Sequence, residues 1–225
     1  MVDYHAYQPP ETARQRENIE WSITYSYNAR NTAQRVLLIG DSICNAYQNQ
    51  VRVLLEDTCN VSFWASSKCV TDPDYFRELD FILDGYRFDM VCFNNGLHSL
   101  TTDPAEWAQA YRAAATFIRA KCPQAALYLT LSTPLQDPVL TEKCHALNDI
   151  VRCVAAEMPC PVIDLFAPMD GRDRQTDWSD CYHFRPDAVR AQAEIIAQAV
   201  RECLGTRAVQ VGHSSVDTGP LGRLK

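Results

Sequence analysis

The sequence has no long apolar run and no leader-like pattern at its start. No stretch approaches the roughly 18 consecutive apolar residues that a membrane helix needs. Residues 1–31 are polar and lack the basic-then-apolar order of a secretory signal. These absences argue against insertion into a membrane and predict a cytoplasmic location.

The sequence also has fewer basic than acidic residues. Lys and Arg total 21 against 28 Asp and Glu, so the formal net charge is -7. An acidic chain is poorly suited to binding nucleic acid through phosphates or to docking on anionic membrane surfaces. The 225 residues are enough for one domain with a sizeable core.

None of the ten cysteines forms a C-x-x-C pair, which argues against a zinc ribbon or a thioredoxin-like motif. Several stand in apolar surroundings, such as Cys92 between Val91 and Phe93. A chain of this length does not need disulfides, so we expect buried free thiols.

No second carboxylate cluster joins Asp180 and His183, and we therefore predict no metal and no other cofactor.

Short apolar segments alternate with helical segments along the chain. The predicted strands are 35–39, 60–65, 88–93, 125–131 and 161–165, and the predicted helices are 46–55, 72–83, 103–121, 140–158 and 185–204. This alternation predicts an α/β fold, a three-layer α/β/α sandwich with a five-stranded parallel sheet. Functional sites of such folds lie beyond the carboxyl ends of the strands.

Residues 34–204 form the predicted domain. The segment 1–33 contains Trp21, Tyr25 and Tyr27, and we expect it to pack on the domain or on a partner, which permits a homodimer. Residues 205–225 are rich in Gly, Ser and polar residues without helical periodicity, so the prediction is an extended or disordered tail.

A GDSI segment follows the first predicted strand at residues 40–43. A serine in a strand-to-helix turn presents its hydroxyl at the sheet edge, where the amides that follow can hold an oxyanion. Ser42 is therefore a candidate nucleophile. The alternative is that Asp41 or Ser42 merely caps the next helix.

A DCYH segment precedes the last predicted helix at residues 180–183. The three-residue offset lets the Asp180 carboxylate fold back onto the His183 imidazole, which would fix its tautomer and stabilise the imidazolium. A lone D-x-x-H is weak, because histidine is often a polar surface residue. Its place before a terminal helix, together with Ser42 after the first strand, strengthens the hypothesis.

Two further polar segments follow predicted strands. The segment after the third strand reads NNGLH and contains Asn94, Asn95, Gly96 and His98. Asn and His side chains can donate hydrogen bonds to a developing oxyanion, although a self-satisfied turn would show the same residues. The segment after the second strand, with Ser66 and Ser67, offers small polar donors to the same region.

Together these segments resemble the SGNH, or GDSL, hydrolase superfamily. The resemblance extends from about Arg35 to Leu204, with VLLIGDSI as first block and DCYHF as last block. It implies a flavodoxin-like sandwich and a serine esterase in which Ser42 is the nucleophile, His183 the base and Asp180 the acid. The NNGLH segment is similar to that of a carbohydrate-esterase-like bacterial subgroup.

The second and third blocks depart from the family pattern. The second usually supplies a glycine to the oxyanion hole, but here it reads ASSKCVTDP. The third is usually G-x-N-D, but His98 stands where that asparagine is expected. The candidates for oxyanion donors are Ser42, Ser67, Asn94, Asn95, Gly96 and His98.

The sequence shows no long apolar lid that would suit acyl chains. Trp64 and Trp178 are candidates for stacking on a sugar ring, and Asp41 is a further substrate-binding candidate. We expect a small-molecule or oligosaccharide ester as substrate, with an acetyl group on a carbohydrate as first choice. The alternatives are a lysophospholipase or thioesterase, an acyltransferase, and a non-catalytic ligand-binding module on the same fold.

Overall fold

The computed structural model describes residues 2–10, 17–28 and 34–213, with side chains as far as residue 206. Within these residues the chain forms one six-stranded sheet in the order β1-β3-β2-β4-β5-β6. The strands are β1 (Ser22–Ser26), β2 (Arg35–Gly40), β3 (Asn60–Ser66), β4 (Met90–Phe93), β5 (Ala126–Thr130) and β6 (Val162–Ile163).

Helices connect the parallel strands and cover the sheet. They are α1 (Ser42–Leu54), α2 (Pro73–Asp84), α3 (Pro104–Lys121), α4 (Pro138–Glu157), α5 (Phe166–Asp170) and α6 (Pro186–His213), and Leu97–Ser99 forms a short 3₁₀ turn. Connections between parallel strands are right-handed as a rule, and such crossovers place helices on both faces of a sheet. Accordingly, α1 packs against α6, while α3 packs against α2 and α4.

Asp-Pro pairs begin three of these helices, α2, α3 and α4. Proline suits the first helical position because its missing N–H has no intrahelical acceptor there. The Asp103 carboxylate accepts from the N–H groups of Ala105 and Glu106, and Asp137 caps α4 in the same way. These local signals explain why the predicted helix starts lie close to the observed ones.

The core lies on the central strands. Every residue of β2, β3 and β4 is buried, which accounts for the apolar runs VLLI in β2 and MVCF in β4. All ten cysteines are free thiols, and seven of them are buried. Burial raises the pKa of the Cys44 and Cys144 thiols to about 12. The expected free thiols are therefore confirmed.

The α/β sandwich and its five parallel strands are confirmed, but the sheet has a sixth strand. The N-terminal segment supplies β1, which pairs antiparallel with β3 so that Ser22 lies opposite Ser66. The sequence analysis missed β1 because only Ile23 in this edge strand is partly buried. An edge strand of this kind has no apolar run that would reveal it.

Two boundaries also need correction. Helix α1 begins at Ser42 and not at residue 46. Helix α6 continues to His213, so the expectation of an extended or disordered tail is wrong over 205–213, and 214–225 lie outside the described residues. Within the described ranges, no helix is both long enough and apolar enough to cross a bilayer.

Candidate active site

The turn between β2 and α1 presents Ser42 at the carboxyl edge of the sheet. Ser42 is the first residue of α1, and Asp41 is its cap, with Oδ1 accepting from the N–H of Ile43 at 2.9 Å. A Cβ added to Gly40 would lie 2.6 Å from Cys44 Cβ, so this turn requires glycine. The helix-cap alternative is thus correct for Asp41, whereas the Ser42 side chain is directed elsewhere.

The Ser42 hydroxyl meets His183, which lies 141 residues further along the chain. His183 Nε2 is 2.8 Å from Ser42 Oγ. On the other side of the ring, His183 Nδ1 is 2.8 Å from Asp180 Oδ2 and 3.0 Å from Oδ1. With the Nδ1 proton donated to the carboxylate, Nε2 is free to accept the serine proton. The structure therefore brings together the three residues that the sequence singled out.

The loop before α6 holds Asp180 and His183 together through its own backbone. Asp180 Oδ1 accepts from the N–H groups of Tyr182 and His183, each at 2.8 Å. Burial acts to raise the pKa of Asp180, but these two N–H groups and the imidazole outweigh it and hold the pKa below its ordinary value. The loop itself therefore orients the Asp180 carboxylate and favours its ionised form.

A cleft of about 590 Å³ opens beside Ser42 and His183. Its apolar lining consists of Trp21, Leu97, Leu100 and Leu140. Its polar lining consists of Glu17, His98, Thr101, Lys143 and Tyr182. One wall comes from the N-terminal segment, which the sequence analysis had not connected with the site.

His98 faces this cleft and forms a second imidazole–carboxylate pair. Its Nδ1 lies 2.6 Å from Glu17 Oε1, and the Trp21 ring stands edge-on at 6.1 Å between centroids. Only 16% of the His98 side chain is exposed. The sequence analysis did not connect Glu17 and Trp21 with His98, because they approach it through tertiary packing from 81 and 77 residues away in sequence.

Ser67 does not face the cleft, contrary to its candidacy as an oxyanion donor. Its N–H donates to the carbonyl of Trp21 at 3.1 Å, and its hydroxyl donates to Glu20 Oε2 at 2.6 Å. Ser67 Oγ also accepts from the N–H of Trp21 at 2.9 Å. Ser67 therefore fastens the N-terminal segment to the end of β3, and its neighbour Ser66 accepts from the N–H of Lys68.

The two asparagines of the NNGLH segment are likewise engaged within the protein. Asn94 Nδ2 donates to the Thr130 carbonyl at 2.9 Å and to Ser132 Oγ at 3.0 Å. Asn95 Nδ2 donates to the Lys68 carbonyl at 2.8 Å. Asn94 ties the end of β4 to its neighbour β5, and Asn95 ties the segment after β4 to the loop after β3, so the structure does not place them as oxyanion donors.

Gly96 is a site of close approach between two loops. A Cβ at this position would lie 2.0 Å from Ser132 Oγ and 3.0 Å from Ser132 Cβ. Glycine is therefore required by the packing of the NNGLH segment on the loop after β5. The following turn then carries His98 to the cleft.

The predicted substrate-binding residues Trp64, Trp178 and Asp41 need correction. Both tryptophans are 1% exposed, because Trp64 packs against Tyr75 and donates to Ser22 Oγ of β1, and Trp178 packs against Phe184. Asp41 is 3% exposed and caps α1. None of the three can contact a substrate in this structure, and Trp21 and Tyr182 are the aromatic residues that line the cleft instead.

Comparison with known proteins places the fold. No protein-family model and no curated protein matches the sequence. Among solved structures, an acetyl xylan esterase superposes with a TM-score of 0.64 at 18% identity, over 74% of this chain and 99% of that chain. A GDSL-like lipase from Bacteroides thetaiotaomicron gives a TM-score of 0.60 at 16% identity, covering 75% and 88%.

A third similar structure is an acetyl esterase variant with an acetate ion. Its TM-score is 0.63 at 13% identity, with 77% of this chain and 99% of that chain covered. Identities this low establish a shared fold and no more. The chain therefore has the fold of SGNH, or GDSL, hydrolases, and the serine, histidine and aspartate described above lie at its carboxyl edge.

Proposed function

We propose that this chain is a serine esterase of the SGNH superfamily, with Ser42 as nucleophile, His183 as general base and Asp180 as the carboxylate that orients it. The observation that carries the proposal is the continuous contact from Asp180 through His183 to Ser42 Oγ, with both key distances at 2.8 Å. A surface histidine paired by chance with a carboxylate has no reason to reach a serine 141 residues away.

The reaction follows from this geometry. His183 Nε2 takes the proton of Ser42 as its oxygen attacks the ester carbonyl, and the Asp180 carboxylate balances the imidazolium charge. The tetrahedral intermediate collapses when His183 protonates the leaving alcohol. Water, activated by the same imidazole, then attacks the acyl-enzyme and releases the acid.

The oxyanion is held in this proposal by the Ser42 N–H and by His98. Ser42 is the first residue of α1, so its N–H has no acceptor within the helix. In the doubly protonated ring His98 Nε2 is a donor, and the Glu17 carboxylate balances that charge. One oxyanion donor contributes about 3 to 4 kcal/mol to lowering the barrier. His98 would then replace the asparagine of the G-x-N-D block.

The preferred substrate is an acetyl ester on a carbohydrate. Trp21 and Tyr182 line the cleft with polar neighbours, and aromatic faces beside hydrogen-bonding groups suit a sugar ring. Two of the similar structures are an acetyl xylan esterase and an acetyl esterase. Both facts favour a small acyl group on a polar alcohol.

A longer acyl group is the second candidate, and one observation favours it. Leu97, Leu100 and Leu140 give the cleft an apolar side that an acetyl group alone would not cover. A series of p-nitrophenyl esters from two to twelve carbons decides between the two. Activity that falls steadily beyond two or three carbons supports the acetyl ester, whereas a maximum at eight or more carbons excludes it.

Labelling with a serine-directed fluorophosphonate tests the catalytic assignment. The wild type should label and hydrolyse p-nitrophenyl acetate, and Ser42→Ala should do neither. Ser26→Ala is a matched control, because Ser26 is an exposed serine of β1 outside the cleft. A wild type that neither labels nor cleaves any activated ester would support the non-catalytic binding module.

A hydrolase and an acyltransferase would share these three residues, so product analysis separates them. The wild type is incubated with an acetyl donor in the presence and absence of a sugar acceptor. Release of acetate at the same rate in both reactions supports the esterase. Formation of acetylated acceptor at the expense of free acetate would support the transferase.

A further inference from the structure

A small cavity lies behind the nucleophile turn, separate from the cleft. It sits between the carboxyl ends of β2, β4 and β5, with Asp41, Asn94, Thr130 and Thr133 among its lining residues. Its volume is about 10 Å³, which is at the lower bound for one water molecule. Neither Ser42 nor His183 lines it, and Leu97 forms a wall that it shares with the cleft.

Three residues that line this cavity carry buried polar atoms without a partner. They are Asp41, Thr130 and Thr133, which are 3%, 2% and 1% exposed. In the described part of the chain, Asp41 Oδ2, Thr130 Oγ1 and Thr133 Oγ1 make no hydrogen bond. Buried polar atoms are nearly always hydrogen-bonded, so three such atoms around one cavity point to a ligand.

The chemistry of the lining identifies that ligand. A water molecule buried in a protein makes two to four hydrogen bonds, and here three of the lining residues each carry an oxygen without a partner among the described residues. The carboxylate accepts, while each hydroxyl can donate or accept. Among the described residues that line the cavity none is Lys, Arg or His, so it offers no positive charge to an anion.

We propose that this cavity binds a single water molecule that joins Asp41 Oδ2 to Thr130 Oγ1 and Thr133 Oγ1. The water ties the cap of α1 to the end of β5. Asp41 Oδ1 holds the N–H of Ile43 at the same time, so the carboxylate is fixed through both oxygens. Asp41, Thr130 and Thr133 are then positioning residues that act on Ser42 through the first turn of α1.

Crystal structures of the wild type, Thr133→Val and Thr133→Ser test the site directly. The wild type should show one density peak within 2.7–3.2 Å of all three oxygens, as hydrogen bonds require. The serine variant should keep the peak and the valine variant should lose it. An empty cavity in the wild type, or a peak with the 2.3–2.6 Å distances of a bound cation, would overturn the proposal.

A kinetic comparison tests the positioning role, and this readout rests on the proposed esterase activity, whereas the density peak does not. With p-nitrophenyl acetate, Thr133→Val should lower kcat about tenfold with little change in KM, because small displacements of a reacting group are costly. Thr133→Ser should restore kcat. Thr116→Val is the matched control, since Thr116 is exposed on α3 and its hydroxyl donates to the Arg112 carbonyl of the same helix.

The density peak and kcat test separate parts of the proposal. A kcat unchanged in Thr133→Val, with the peak gone, would reject the positioning role. A kcat that falls equally in Thr133→Val and Thr133→Ser would also reject it, because loss of packing rather than loss of the hydroxyl would then be the cause. Both results leave the assignment of Ser42 as nucleophile untouched.

Discussion

Two imidazole–carboxylate pairs flank the same cleft, and they are built in different ways. His183 Nδ1 lies 2.8 Å from Asp180, and His98 Nδ1 lies 2.6 Å from Glu17. The first pair spans three residues of sequence and the second spans 81. The first imidazole reaches Ser42, whereas the second is the less exposed, with 16% of its side chain accessible against 41%.

The difference shows which pair depends on the rest of the fold. Asp180 and His183 are held within one turn by two backbone N–H groups, so this pair forms wherever the loop forms. The Glu17–His98 pair needs the N-terminal segment to be docked on β3. Docking in turn depends on the bonds between Trp21 and Ser67 and on the pairing of β1 with β3.

The largest effect is expected from Asp180→Asn. The amide still accepts the two N–H bonds of the turn, but it does not balance an imidazolium and it favours the wrong tautomer of His183. We expect kcat for p-nitrophenyl acetate to fall about 10⁴-fold with an unchanged circular dichroism spectrum. A loss below tenfold would show that the local pair is not the catalytic one.

A smaller effect is expected from His98→Ala. If His98 donates to the oxyanion, kcat should fall by roughly 10²- to 10³-fold with little change in KM, and His98→Gln should recover part of it. The measurement is steady-state kinetics on the same ester. A rise in KM at constant kcat would instead show that His98 binds the substrate and the transition state equally.

Glu17→Gln tests the His98–Glu17 pair more closely, because this substitution removes the negative charge of the side chain and keeps its shape. We expect a loss of about tenfold in kcat, since a neutral amide replaces the carboxylate that balances the charge of the His98 ring in the proposed mechanism. Glu56→Gln, at an exposed position outside the cleft, is the control for a change in net charge. Equal activity in wild type and Glu17→Gln would show that the charge of Glu17 does not contribute to the reaction.

The smallest effect concerns stability. The pKa of Asp180 is lower in the folded protein, so its ionisation stabilises the fold above the pKa of the unfolded chain, and this contribution is lost as the pH falls through the folded pKa. Asp180 is more than half exposed, so we expect less than about 1 kcal/mol. Urea unfolding of wild type and Asp180→Asn should converge as the pH drops from about 5 towards 3. If the difference in unfolding free energy between the two proteins stayed constant over this pH range, ionisation of Asp180 would not be its cause.

The contrast between the two pairs also explains what the sequence was able to predict. Ser42 and His183 stand beside strong local signals, the end of a buried strand and the start of a helix, so their places in the fold followed from pattern alone. Strand β1 and Glu17 carry no such signal, because an edge strand and a docked carboxylate are defined by their partners. The prediction that Trp64 and Trp178 stack on a sugar ring was wrong for a related reason. Aromatic rings suit a hydrophobic core and a sugar-binding site equally well, so their presence in the sequence does not distinguish the two.

The docking of residues 17–28 has a practical consequence for protein engineering. The segment adds to the sheet by edge pairing and supplies Glu17 and Trp21 to one wall, while Ser42, Asp180 and His183 all lie on the remaining chain. Part of this wall can therefore be varied without changing Ser42, Asp180 or His183. Libraries confined to residues 18–28 would alter the surface that Trp21 supplies and leave the residues of both imidazole–carboxylate pairs unchanged.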